Sequence, residues 1–152
     1  MPKSFQYNRS DDDPPRSTAT ETDNDDEPIY IVLGTSAQEN TDLIKKASLS
    51  WWWLHLDSVA SGHVIIMTDI IDDNIIEFAA HICIKHVSDR KRAGALYRRP
   101  GESEQQFNAL VTRISNLVID QGSLGEVEFK SRSKRKLLKQ SIIFNSDLCN
   151  HL

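Results

Sequence analysis

Gly62-His-Val-Ile-Ile-Met-Thr-Asp-Ile-Ile71, Asp72-Asp-Asn74 and Ile75-Ile-Glu-Phe-Ala-Ala-His-Ile-Cys-Ile-Lys-His-Val87 together form the most apolar stretch of the chain. Two runs rich in β-branched residues flank three residues of turn chemistry, a pattern that predicts an antiparallel hairpin near 63–87. In the second run Ile76, Phe78, Ala80, Ile82 and Ile84 alternate with Glu77, Ala79, His81, Cys83 and Lys85, as in a strand buried on one face. The first run is apolar on both parities, as a central strand is. A helical rival exists: Asn74 with Glu77 resembles a capping box, and Glu77, His81 and Lys85 lie four apart. The β-branched content favours the strand.

On the N-terminal side, Pro28 precedes Ile29-Tyr-Ile-Val-Leu33, a short strand closed by Gly34. Leu43, Ile44, Ala47, Trp51 and Leu54 fit one face of a helix near 41–52, with Asn40 or Thr41 as its N-cap. Extended chain is expected to take over around Trp51-Trp52-Trp53, since aromatics favour pleated surfaces.

On the C-terminal side, a polar connection over 88–101 leads to a predicted amphipathic helix at about 103–120. Ser103 with Gln106 reads as its capping box, Gly122 as its C-cap, and Phe107, Leu110, Val111, Ile114, Leu117 and Val118 as its apolar face. Glu126 to Lys130 alternates, Ser131 to Lys136 is turn-like, and Leu137 to Asn145 returns, which predicts a second hairpin near 126–145. The sum is an α+β domain, a mostly antiparallel sheet with helices on one side.

The 152 residues carry a net charge of −4, unevenly spread. Residues 1–27 hold three basic and eight acidic side chains, net −5, with little apolar surface; they read as a disordered acidic tail. Residues 28–152 hold 15 basic and 14 acidic side chains, net +1, and read as one globular domain. A sequence pI below 7 therefore does not exclude an anionic partner. Two cysteines, Cys83 and Cys149, make no disulfide framework and read as reduced thiols. With neither an apolar N-terminal run nor a stretch of the roughly 18 apolar residues that span a bilayer, an intracellular protein is expected, cytoplasmic or nuclear.

Charge is the main chemical signal. Lys130, Arg132, Lys134, Arg135, Lys136 and Lys139 place six basic residues in ten, suited to phosphate contacts or to nuclear import. Arg90, Lys91, Arg92, Arg98 and Arg99 form a second basic group, with Tyr97 able to stack on a base. Trp51, Trp52 and Trp53 diverge in any backbone conformation, and an exposed one would stack on bases or anchor a protein interface; burial of two is the simpler expectation.

His81-x-Cys83-x-x-His86 has the look of metal spacing, but no second Cys/His pair accompanies it, so no metal site is expected. Asp69, Asp72, Asp73 and Asn74 lack the glycine and terminal glutamate of a calcium loop and read as turn formers. No nucleophile elbow, phosphate-cradling loop or zinc-protease helix is present; neither catalysis nor a cofactor is expected.

Two readings follow. The first is a non-catalytic binding protein that engages RNA or another polyanion through these basic segments, its acidic tail competing for the same surface. The alternative is a structural or self-assembling interaction component without direct nucleic-acid binding, in plan reminiscent of small viral structural or accessory proteins. For that role, strand edges would supply the contacts.

Overall fold

The computed structural model describes residues 2–8, 28–57, 62–90, 106–119, 127–130, 137–145, 147–148 and 152, with backbone alone at 88–90. In chain order the elements are β1 (Lys3–Tyr7), β2 (Ile29–Leu33), α1 (Ala37–Lys46), β3 (Trp52–Leu56), β4 (Val64–Ile66) and α2 (Asp73–Arg90). They continue with β5 (Gln106–Arg113), a 3-10 turn (Ile114–Asn116), β6 (Leu117–Ile119), β7 (Val127–Phe129) and β8 (Leu137–Ile143). Six strands make one sheet in the order β1-β2-β4-β3-β5-β8, every neighbour antiparallel, while β6 and β7 form a separate ribbon. The α+β class expected from the sequence holds, but the two helices lie on opposite faces of the sheet rather than on one side.

Period-two alternation divides the sheet into two faces. Ile29, Ile31, Leu33, Leu54, Leu56, Val64, Ile66, Ala109 and Val111 share one cluster with Ile75, Ile76, Ala79, Ala80, Ile82, Cys83 and Ile84 of α2. On the other face Trp53, Ile65 and Leu110 meet Ile44 of α1, the turn residue Ile114, and Leu117, Val127 and Phe129 of the ribbon. Each fully buried Leu or Ile contributes about 1.5–3 kcal/mol, so the α2 face carries most of the hydrophobic stabilisation.

Three expectations are corrected. Residues 75–85 are not the second arm of a hairpin but the heart of an 18-residue helix. Asp72 rather than Asn74 caps it: its Oδ1 accepts the Ile75 amide at 2.9 Å, and its carbonyl accepts the Ile76 amide at 3.1 Å. Because α2 is buried on most sides, even His81 and His86 are inside, and the polar stripe that marks a surface helix is lost.

The described part of the segment at 103–120 is not a helix. Residues 106–113 are β5, and the described remainder is a tight turn and β6. β5 buries Phe107, Ala109 and Val111 on one face and Thr112 on the other; followed by the turn, a strand covered on both faces mimics helical spacing. Gln106 opens β5, where its side-chain amide hydrogen-bonds the Ser141 hydroxyl across to β8, and the Ser103 and Gly122 caps lie outside the described residues.

The hairpin at 126–145 is also replaced. β7 pairs with β6 and β8 with β5, so its two arms belong to different sheets.

Nearer expectation, α1 begins at Ala37, with Ser36 rather than Asn40 or Thr41 as N-cap, and the chain becomes extended at Trp52. The stretch 1–27 is not uniformly unstructured: Lys3–Tyr7 pairs with β2, and the Tyr7 ring lies 5.2 Å from that of Phe78. The eight acidic residues of that stretch lie outside the described residues.

Candidate functional site

The second face of the sheet brings Trp53, His55, His63 and Phe129 together. Its registers build a row across β3, β5 and β8 that continues to Gly34 and His63, next to the ends of β2 and β4. The Gly34 amide donates to the His63 carbonyl at 3.0 Å, His55 stands opposite Leu110, and Leu110 stands opposite Lys139. The His55 and His63 rings meet edge to face at 5.1 Å. Trp53 stacks on His55 at 5.7 Å and meets His63 and Phe129 edge-on, each at 5.5 Å.

Local sequence explains this density. Gly34 and Gly62 approach so closely that a Cβ on Gly62 would overlap the Gly34 carbonyl, and one on Gly34 would overlap the Asn40 side chain. Asn40 Oδ1 in turn accepts the His63 amide at 3.3 Å. α1 is held over this corner by Ser36, whose Oγ accepts the Glu39 amide, and by Glu39, whose carboxylate accepts the Thr35 amide at 2.9 Å. The Ser36-x-x-Glu39 spacing was available in the sequence as a capping box.

The electrostatics of the row are uneven. Burial, followed by the nearby His55, lowers the His63 pKa to about 4, so the ring is neutral at physiological pH. Its Nδ1 and the Trp53 Nε1 are buried without a hydrogen-bond partner among the described residues. At the sheet edge Lys139 Nζ pairs with the Asp57 carboxylate at 2.9 Å.

Of the basic residues singled out, Lys130 is exposed directly after Phe129, with its amide bonded to the Asn116 carbonyl at 2.8 Å. Lys139 lies on β8, engaged with Asp57. Arg90 closes α2, where only its backbone is described. Arg132, Lys134, Arg135 and Lys136, together with Lys91, Arg92, Tyr97, Arg98 and Arg99, lie outside the described residues.

The three tryptophans take different environments. Trp53 is core, and Trp51 packs half-buried against the second cluster. Trp52 lies under the Arg113 guanidinium at 4.3 Å and donates its Nε1 hydrogen to the Asp69 carbonyl at 3.0 Å. Arg113 also donates to the Ser50 carbonyl at 2.6 Å. This knot pins the β4–α2 connection to β3 and β5, and it leaves the Trp52 face covered by a cation.

On α2, His81 is a structural residue. The Asn145 amide donates to its Nε2 at 2.9 Å, which leaves Nδ1 to donate to the Glu77 carbonyl at 2.7 Å. Among the described residues, no three His, Cys, Asp or Glu side chains come together as a metal site. None of the described helices is long and apolar enough to cross a membrane. Between β1 and α2 lies a mostly apolar hollow of about 210 Å³ that includes Lys3 and Lys85 in its lining.

No protein-family model matches the chain, and no curated protein does. Among solved structures it is similar to the C-terminal part of the fibronectin/fibrinogen-binding protein from Streptococcus suis, with a TM-score of 0.59 at 17% identity. The match covers 82% of this chain and 44% of that one, so the chain spans less than half the neighbour's length. At this identity the likeness is one of fold.

Proposed function

We propose that the chain is a non-catalytic binding module that engages RNA or another polyanion beside the His55–His63–Trp53 face, through Lys130, Arg132, Lys134, Arg135 and Lys136. One observation carries the reading: both ends of the basic segment are anchored at one place on the sheet. Lys130 is bonded to Asn116, Leu137 stands opposite Thr112, and the Asn116 side-chain amide donates to the Thr112 hydroxyl at 3.0 Å. Lys130 and Leu137, the described residues that flank 131–136, thus lie at one corner of the sheet, and Lys130 is exposed there. Phosphate contacts from such a cluster supply affinity without sequence preference. Lys139, held by Asp57, is a weaker contributor.

The name of the Streptococcus suis protein favours a second reading, a protein ligand. Fluorescence-anisotropy titration of the full chain with a single-stranded RNA and, separately, with a fibronectin fragment distinguishes the two. Binding to RNA that falls several-fold in Lys134→Ala/Arg135→Ala/Lys136→Ala, but not in Lys45→Ala/Lys46→Ala, supports the first. Binding to fibronectin alone overturns it.

A further inference from the structure

Strand β8, Leu137-Leu-Lys-Gln-Ser-Ile-Ile143, is a palindrome in chemical character: two apolar residues, a polar one, Gln140, a polar one, two apolar residues. It is the last strand of the sheet. β5 pairs with it at all seven positions from Leu137 to Ile143, and none of the described residues pairs with its outer edge. Two of its apolar side chains face solvent, Ile143 at 53% and Leu138 at 37% exposure. A seven-residue open edge bearing exposed apolar groups is a template for strand addition, which proteins ordinarily blunt.

We propose that β8 is a self-complementary edge through which two copies of the chain join their sheets about a two-fold axis at Gln140. Antiparallel pairing that keeps each face continuous requires facing residues of the same parity, so the axis passes through a residue rather than between two. With the axis at Gln140, Leu137 faces Ile143 of the second copy, Leu138 faces Ile142, Lys139 faces Ser141, and Gln140 faces its own counterpart. Moving the axis to Lys139 sets two ammonium groups directly opposite one another, which is destabilising. At Ser141 it would set Lys139 against Ile143 and Gln140 against Ile142.

Only the Gln140 register puts every apolar residue of β8 opposite another apolar residue, and symmetry forms each of those contacts twice. The other edge, β1, has no such symmetry: Lys3-Ser-Phe-Gln-Tyr7 would set Lys3 against Tyr7. The contact therefore closes as a dimer and leaves no matching edge for a filament.

Sedimentation velocity on the full chain, nuclease-treated so that no nucleic acid bridges copies, is expected to show a dimer that dissociates on dilution. Ile143→Glu, at a position half-exposed in the single chain, should leave the circular dichroism spectrum unchanged and weaken dimerisation about ten-fold or more. In a Cys149→Ser background, Gln140→Cys should crosslink under mild oxidation. Lys139→Cys should not, because its counterpart sits a diagonal step away, about 7–8 Å between strands, beyond disulfide reach. A chain monomeric at every concentration, a dimer that survives Ile143→Glu, or equal crosslinking at the two positions overturns the proposal.

Discussion

His63 illustrates how one buried imidazole ties stability to pH. Its pKa is lowered to about 4 in the folded chain, against roughly 6.5 unfolded, chiefly by burial and then by His55. Between those values the unfolded chain binds a proton that the folded chain does not. Stability from this group is therefore complete above pH 6.5 and falls as pH drops toward 4, by at most about 3 kcal/mol. Urea denaturation at pH 7 and pH 4.5 should show that loss, and His63→Gln should flatten it; an unchanged slope would separate His63 from the acid sensitivity. His81 has both ring nitrogens hydrogen-bonded. His81→Leu should cost about 1–3 kcal/mol in urea denaturation by leaving the Asn145 amide without its acceptor. Close approach of backbone to backbone sets a third expectation: Gly62→Ala should destabilise by more than about 1 kcal/mol, because the Gly34 carbonyl it would meet belongs to the main chain and cannot swing aside.

At the scale of elements, α2 depends on its start. Asp72→Ala removes the acceptor of the Ile75 amide and should cost about 1 kcal/mol in thermal or urea unfolding, whereas Asn74→Ala should cost little. The contrast also shows what was legible in the sequence and why. β2 was readable because Ile29–Leu33 is short, β-branched and bounded by Pro28 and Gly34. α2 was not, because a helix surrounded by protein has no polar stripe, and its apolar residues Ile76, Phe78, Ala80, Ile82 and Ile84 alternate as a strand's would. Length was the better guide: the 16 residues from Asp72 to Val87 pass without a Gly or Pro, far beyond an ordinary strand. β5 misled in the opposite sense, with one apolar set on each face and a turn appended. In the candidate site, the crowding of His55, His63 and Trp53 was invisible as spacing, since β3 and β4 bring it together only through their register. The basic segment was legible as charge alone, and what the fold adds is the anchoring of its two ends.

For the whole molecule, charge asymmetry between the first 27 residues and the rest organises the expected behaviour. Since Lys3–Tyr7 belongs to the sheet, the acidic stretch must be neutralised in place rather than deleted. Changing Asp11, Asp12, Asp13, Asp23, Asp25 and Asp26 to Asn should tighten RNA binding at low salt and have little effect at high salt, as screening predicts. Equal affinity at both would show that the tail does not compete for the basic surface. The proposed polyanion recognition would rest on counterion release, and the salt dependence of RNA affinity tests it most directly. The full chain should show a negative slope of log K against log salt. Lys134→Ala/Arg135→Ala/Lys136→Ala should make that slope shallower by about 2, since each phosphate no longer neutralised on single-stranded RNA removes about 0.7. A slope identical in the two proteins, or an affinity indifferent to salt, would contradict it.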